Sequence, residues 1–178
     1  MPTTQLNAAT STMTDRNTSD LFTALKRRVS AQPEAPIVGG QEGLRWRTVI
    51  SSDFLNRVEG LAHWLSTLEP TPVRAGDRVV LWVPNHWWTP AYFFALWRLG
   101  AIVVPFDREM NRDAARRILE QVEPRLVLTG YGERPTWAAD SVGPPSIVEW
   151  QEPPDQTQEL PPADFAPADR LAAIYYTS

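Results

Sequence analysis

Two hydroxyl side chains, Thr177 and Ser178, follow an apolar run at residues 171–176. The run has the composition of a buried strand, so we expect it to form part of a sheet. Hydroxyl and backbone N–H groups at the carboxyl end of a strand can hold the oxygens of a phosphate. The position of this pair predicts the start of a phosphate-binding loop, although the glycines and the lysine of such loops do not accompany it.

Few residues offer any other chemistry. The chain has no cysteine and two histidines, His63 and His86, which excludes thiolate metal sites and argues against a zinc centre or a serine–histidine triad. We expect both histidines to be structural or solvated. Asp107 and Glu109 follow a predicted strand, but nothing else supports a paired-carboxylate hydrolase. The Gly-Tyr-Gly segment at 130–132 precedes no clear helix that could bind a pyrophosphate, so we interpret it as a turn.

The elements that would position these residues alternate between strand and helix. Apolar strands are predicted at 78–83, 101–105 and 125–129, with one helix over 87–99 and another after an N-cap at Asn111. Strands joined through helices at this spacing form right-handed parallel crossovers. Because the strands lack polar alternation, helices should cover both faces of the sheet. The sequence therefore predicts an α/β fold, a mostly parallel sheet with flanking helices.

Two helices and a hairpin are predicted before the first of these strands. Asp20 or the preceding serine can cap a helix with apolar residues on one face. A short hairpin follows, in which the glycine-rich segment 39–43 connects two apolar runs. A second amphipathic helix then begins at Thr48 or Ser51.

Charge and composition set further limits. The net charge is −4, and residues 149–169 hold six acidic and no basic residues, so no nucleic-acid surface is expected. We predict that residues 1–18 are a disordered leader and that the segment at about 130–169, rich in proline and acid, is a linker around a short strand at 147–148. No signal peptide and no membrane-spanning run are present, so we expect a cytoplasmic protein without a membrane span.

Three motifs occur together and in order along the chain. Residues 76–85 contain a Gly-Asp-Arg-Val strand and a Pro-Asn turn. Residues 96–107 contain the end of a helix, Gly-Ala, and a strand that ends in Val-Pro. The third motif is the apolar run 171–176 with the two residues after it, which together end in Tyr-Thr-Ser. In this combination they resemble the AMP-forming acyl-CoA synthetases, which are adenylate-forming enzymes, and Leu44–Thr48 fits the same pattern more loosely. The resemblance extends over residues 19–178 and implies an incomplete N-terminal AMP-binding domain.

Enzymes of this family join a carboxylate to the α-phosphate of ATP with Mg²⁺, release pyrophosphate and pass the acyl group to a thiol such as coenzyme A. The resemblance implies a ligase for a carboxylic acid, with a fatty acid as the expected substrate. It implies that Thr177 and Ser178 begin the ATP phosphate loop, and it assigns no catalytic residue and no metal ligand here. Lys26, the only lysine, lies among arginines on a predicted helix. We therefore expect this chain alone to be inactive and to bind ATP, Mg²⁺ and coenzyme A without high affinity.

Two other interpretations stay open. The chain could be a fragment of an amino-acid-activating adenylation domain of a peptide synthetase, because the residues that select the substrate in the family have no counterpart before Ser178. It could also be a non-catalytic α/β interaction module that is complete at 178 residues. If the sheet stops at the final run, it exposes apolar surface and an unpaired edge, so we expect self-association.

Overall fold

The computed structural model describes residues 20–133, 135, 137, 145–152 and 171–176. The predicted leader and most of the predicted linker lie outside these residues. The described elements, in chain order, are α1 (Leu21–Ala31), β1 (Pro36–Glu42), β2 (Arg45–Ile50), α2 (Ser51–Thr67), β3 (Arg78–Trp82), α3 (Thr89–Arg98), β4 (Ile102–Pro105), α4 (Arg112–Val122), β5 (Leu126–Thr129) and β6 (Ser146–Glu149).

The main sheet contains four parallel strands in the order β4-β3-β5-β6. The predicted α/β fold with a mostly parallel sheet is confirmed, and β6 confirms the short strand expected at 147–148. A separate two-stranded antiparallel sheet is formed by β1 and β2. No helix among the described residues is long and apolar enough to cross a membrane.

Helices cover both faces of the parallel sheet. Val79 and Leu81 of β3 belong to a core shared with α1, α2 and α3, whereas Val80, between them, packs in a second core with α4. All three valine and leucine side chains are buried. A strand that is covered on both faces needs apolar residues at every position, which explains the absence of alternation in the sequence.

Side-chain caps fix the starts of two helices where the sequence predicts them. The carboxylate of Asp20 accepts a hydrogen bond from the Thr23 N–H at 2.8 Å and caps α1. Asn111 caps α4 in the same way, with the Ala114 N–H at 2.9 Å. Of the two starts predicted for α2, Ser51 is the observed one, and its hydroxyl donates to the Ala35 carbonyl at 2.9 Å.

The hairpin differs from the prediction. The segment 39–43 was expected to connect two short strands, but β1 continues through Gly39 and Gly40 to Glu42, and the turn begins at Gly43 with a φ of +60°. A Cβ on Gly40 would lie 2.7 Å from Cγ of Trp87. The glycine is therefore needed because an indole ring packs directly on the strand, and this contact comes from a distant part of the chain.

The end of β6 is held by α3. The hydroxyl of Tyr92 donates to the Gln151 carbonyl at 2.5 Å and accepts from the Gln151 N–H at 2.9 Å. The Trp150 ring packs against Tyr92 and against His86, with centroids 6.2 and 5.2 Å apart. Burial raises the pKa of the Tyr92 hydroxyl above its ordinary value, and the hydrogen bond with the Gln151 backbone partly opposes that shift.

Candidate functional site

The carboxyl edge of the parallel sheet is where the predicted phosphate loop would begin. Residues 171–176 run beside β4 in the same direction: the Val103 N–H donates to the Ala172 carbonyl at 3.0 Å, and the Ile174 N–H donates to the Val103 carbonyl at 2.9 Å. The Trp97 indole N–H also donates to the Ala172 carbonyl, at 2.9 Å. This parallel pairing directs the segment toward the edge at which β3, β4 and β5 end.

The strand predicted at 171–176 is present only as a single bridge between Ala173 and Val103. Two backbone hydrogen bonds attach the segment to β4, and none of the strands in the described part of the chain pairs with its other side. A strand paired on one side over so short a length is incomplete as a regular element. Thr177 and Ser178, the predicted phosphate-binding pair, lie outside the described residues, so their role stays a prediction.

The connections between strands leave in opposite directions at this edge. From β3 the chain crosses to β4 on one side, and from β5 it continues to β6 on the other side. Adjacent strands whose connections leave in opposite directions define a topological switch point, and ligands of open α/β sheets bind outside the carboxyl ends of such strands. The crevice between the ends of β3 and β5 is therefore the candidate binding site of this fold.

Polar groups without partners meet at this crevice. Trp82 and Thr129 are paired in register at the last positions of β3 and β5. The Trp82 indole N–H, the Thr129 hydroxyl and one carboxylate oxygen of Glu133 are buried and have no hydrogen-bond partner among the described residues. Buried polar atoms are almost always satisfied in proteins, so three at one place mark a position where a polar ligand group would bind.

A charged pair and aromatic rings border the same crevice. Arg108, just after β4, forms an ion pair with Glu133, and its guanidinium lies 5.7 Å from the centroid of the Trp82 ring. Trp137 packs edge-on against Trp82 at 5.9 Å and at a tilt against Phe106 at 5.5 Å. The arrangement offers an indole N–H donor, a hydroxyl, an arginine paired with a carboxylate, and flat apolar walls, which suit binding of a polar or aromatic group.

Tyr176, the last described residue, connects the final segment to this crevice. Its side chain and that of Ile174 pack against the core that contains Phe106 and Trp137. The predicted phosphate-binding pair follows Tyr176 directly in the sequence. The structure describes the chain up to Tyr176, and the phosphate-binding role of the pair that follows stays a prediction.

The remaining candidates from the sequence are structural. Asp107 and Glu109 are exposed, and the Asp107 carboxylate accepts from the Glu109 N–H at 2.9 Å, so it stabilises its own turn. His86 accepts a hydrogen bond from the Trp88 N–H at 3.3 Å on Nδ1. The turn predicted at 130–132 is confirmed, because the Glu133 N–H donates to the Gly130 carbonyl at 3.1 Å.

The two other candidates, His63 and Lys26, lie on the helices α2 and α1. His63 lies half-buried in α2 and makes no contact with the crevice residues in the described part of the chain. Lys26 lies in α1, with Nζ 6.0 Å from the centroid of the Phe22 ring. Since α1 packs on the face opposite α4, this lysine lies on the other side of the sheet from the core that contains Phe106 and Trp137.

Sequence reasoning missed the polar crevice. Arg108 and Glu133 are 25 residues apart, and Trp82 and Thr129 belong to different strands. Nothing in their local spacing indicates that they meet. The one available signal was position, because all four lie at or just after the carboxyl end of a predicted parallel strand.

A model of the AMP-binding enzyme family matches residues 25–178. Malformin synthetase from Aspergillus neoniger is 33% identical over 98 residues, which are 54% of this chain and 2% of that protein. The structure of VinN with 3-methylaspartate has a TM-score of 0.75 at 22% identity and covers 92% of this chain and 45% of that one.

A fatty acyl CoA synthetase from Mycobacterium tuberculosis has a TM-score of 0.64 at 18% identity, covering 89% of this chain and 32% of that one. At these identities the two structures show a shared fold. The chain spans less than half of either solved chain and a small part of malformin synthetase, so it corresponds to one portion of these larger proteins.

Proposed function

This chain belongs to the AMP-binding enzyme family and has the fold of the N-terminal part of an adenylate-forming ligase, and on this premise we propose that its protein activates a carboxylic acid with ATP. A carboxylate oxygen of the acid attacks the α-phosphorus, the new P–O bond forms, and the bond to pyrophosphate breaks. The acyl-adenylate then transfers its acyl group to a thiol, and AMP leaves.

The observation that carries this proposal is the parallel pairing of residues 171–176 with β4. It directs Tyr176 toward the carboxyl edge, and in the proposal Thr177 and Ser178 are the first two residues of the ATP phosphate loop. Their hydroxyl and backbone N–H groups would donate to phosphate oxygens. Fixed donors of this kind stabilise the charge that develops as pyrophosphate departs.

Mg²⁺ and coenzyme A are part of the proposal because enzymes of this family use them. Mg²⁺ would neutralise part of the triphosphate charge. In the described residues no group of three or more histidine, aspartate or glutamate side chains could hold a metal ion, so we assign none of these described residues to it. Coenzyme A is the proposed thiol acceptor, with a fatty acid as the proposed acyl donor.

A second candidate is activation of an amino acid. VinN is described in complex with 3-methylaspartate, and one of the curated relatives is malformin synthetase. Both observations favour an amino acid, whereas the fatty acyl CoA synthetase favours the first candidate. The two share the adenylation step and differ in the side chain of the acid.

The two candidates are separated by exchange of labelled pyrophosphate into ATP, measured with the complete product of the reading frame that encodes these residues. The acids tested are a series of fatty acids and a series of amino acids that includes 3-methylaspartate. Exchange that depends on a fatty acid supports the first candidate, and exchange that depends on an amino acid supports the second. If no carboxylic acid in either series supports exchange, the proposal is wrong.

A substitution tests the phosphate-binding pair within the same assay. Ser178→Ala should lower the exchange rate by at least about tenfold, because it removes a donor to the charge that develops on phosphate. Ser30→Ala is the matched control, since Ser30 is an exposed serine in α1 and should leave the rate unchanged. Equal rates for both variants would contradict the assignment of Ser178.

We further propose that residues 1–178 by themselves form no acyl-adenylate. Charge neutralisation at the triphosphate uses a lysine in this family, and the only lysine here, Lys26, lies in α1 on the face away from α4. Incubating the purified chain with ATP and the acid identified above, followed by mass spectrometry, measures the product. Detection of acyl-adenylate would overturn this proposal.

A further inference from the structure

The outer side of the segment 171–176 has no partner among the described strands. On its inner side, the Ala172 carbonyl accepts from the Val103 N–H at 3.0 Å, and the Ile174 N–H donates to the Val103 carbonyl at 2.9 Å. Alternate residues of an extended segment direct their backbone groups to opposite sides, so those of residues 171, 173 and 175 point outward. In the described part of the chain none of these three residues makes a backbone–backbone hydrogen bond.

The side chains of the same three residues lie on one face of the segment. Ala173 packs against the core shared with α3, whereas Ile174 and Tyr176 pack against the core that contains the buried face of α4. Leu171 and Tyr175 lie two positions before and two positions after Ala173, and they are 56% and 68% exposed. Two large apolar side chains are therefore placed symmetrically about a small one along an open edge.

Charge favours a second copy of the chain as the partner of this edge. The six residues 171–176 carry no charged side chain, so two copies of the segment meet without like-charge repulsion. The hairpin strand β2 differs, because it carries Arg45 and Arg47, and pairing two copies of β2 would bring arginines together. Of these two edges, the segment 171–176 is therefore the one suited to pairing with itself.

We propose that two copies of this chain pair through this segment as antiparallel strands, with Ala173 opposite Ala173 of the second copy. In this register Leu171 faces Tyr175 of the second copy, and Ala172 faces Ile174. The three outward residues of each copy then all find partners, whereas a register displaced along the strand leaves one of them unpaired. Every facing pair is apolar, and because the same surface is used by both copies the association closes at a dimer. The inference does not depend on the proposed adenylation activity.

Disulfide formation tests the register, because the chain has no cysteine of its own. Ala173→Cys places two thiols opposite each other with Cα atoms about 5.5 Å apart, a separation that a disulfide bridges. Ala172→Cys is the matched control, since the same substitution at the neighbouring position leaves the two Cα atoms about 7–8 Å apart. Under mild oxidation, Ala173→Cys should form the covalent dimer at least about tenfold faster on non-reducing gels. Equal rates, a faster Ala172→Cys or no covalent dimer from Ala173→Cys would overturn the proposal.

Two exposed substitutions test the same register without cysteine. Leu171→Lys and Tyr175→Glu each remove an apolar contact, so each variant alone should associate less than the native chain. Mixed in equal amounts, they should give at least about threefold more dimer than either alone, because the introduced ammonium faces the introduced carboxylate. Leu171→Lys mixed with Leu44→Glu is the control, since Leu44 is fully exposed at the hairpin turn. Light scattering after size-exclusion chromatography measures the masses, and equal dimer in both mixtures, or a native chain that grows beyond a dimer, would contradict the proposal.

Discussion

Glu59 of α2 and Arg98 of α3 form a buried ion pair. Glu59 is 7% exposed and Arg98 is 5% exposed, and Nε of Arg98 lies 3.2 Å from Oε2 of Glu59. The guanidinium also lies 5.2 Å from the centroid of the Phe22 ring in α1. The pair therefore lies where three helices meet, and its two members depend on each other, because a buried charge without its partner is costly.

Arg98→Met should lower the free energy of unfolding by about 3–5 kcal/mol, because it leaves the Glu59 carboxylate buried without its guanidinium partner. The double variant Glu59→Leu/Arg98→Met should be more stable than Arg98→Met alone, since no charge is then left behind. Arg116→Met is the control, because Arg116 pairs with Glu120 on the exposed surface of α4 and should cost less than about 1 kcal/mol. Urea denaturation measures all three, and equal losses for the two arginine variants would contradict the argument.

The raised pKa of the Tyr92 hydroxyl predicts a loss of stability at high pH. Burial raises the pKa of its hydroxyl in the folded chain, whereas the unfolded chain has the ordinary value of 10.0. The folded state therefore retains the proton more strongly, so this stabilisation is complete below pH 10 and decreases as the pH rises above it. Unfolding free energies measured between pH 8 and pH 11, limits chosen to bracket that value, should fall more steeply for the native chain than for Tyr92→Phe. Parallel pH profiles would show that Tyr92 does not control this loss.

The sequence predicted residues that act locally and missed those that act across the fold. The cap at Asn111 was predictable, because its partner, the Ala114 N–H, lies three residues away. Trp82 and Thr129 come together only when β3 and β5 pair, and Glu133 reaches the same place through the turn after β5. No local pattern encodes such an encounter, so the crevice required the structure.

At the scale of the elements, the hairpin tests how a glycine supports packing. Gly40→Ala should lower the free energy of unfolding by about 1–3 kcal/mol, because the added methyl group overlaps the Trp87 ring unless β1 or the ring moves. Arg45→Ala is the control, since Arg45 is an exposed residue of the same hairpin. Thermal unfolding followed by near-ultraviolet circular dichroism would also report the changed surroundings of the indole. Equal stability of Gly40→Ala and the native chain would mean that the contact is not tight.

The order of β3, α3, β4, α4 and β5 was predictable because each carries its own apolar pattern and its own stop signal. Which segments pair with each other was harder to predict from the sequence. The segment 39–43 has the composition of a turn, yet tertiary contact extends β1 through its two glycines. Residues 171–176 have the composition of a strand, yet they form a single bridge, because only β4 pairs with them among the described elements.

At the scale of the molecule, the parallel sheet has two outer edges in the described part of the chain. One is β6, where Ile147 is partly exposed, and the other is the segment 171–176, where Leu171 and Tyr175 are 56% and 68% exposed. The N–H and carbonyl of Val103 bond to the Ala172 carbonyl and the Ile174 N–H, so the N–H and carbonyl of Ala173 point away from β4. An edge with unpaired backbone groups and exposed apolar side chains is a template for pairing with another chain.

We therefore predict that the chain self-associates in a concentration-dependent manner through the edge at 171–176. Tyr175→Lys should shift the distribution toward monomer, because a charge on an edge strand opposes pairing with a second copy. Leu44→Lys is the matched control. Leu44 is fully exposed at the hairpin turn, so this substitution adds the same charge away from the parallel sheet. Size-exclusion chromatography with light scattering over a range of concentrations measures the mass of each variant. A native chain that stays monomeric throughout, or an equal shift with Leu44→Lys, would show that this edge does not drive association.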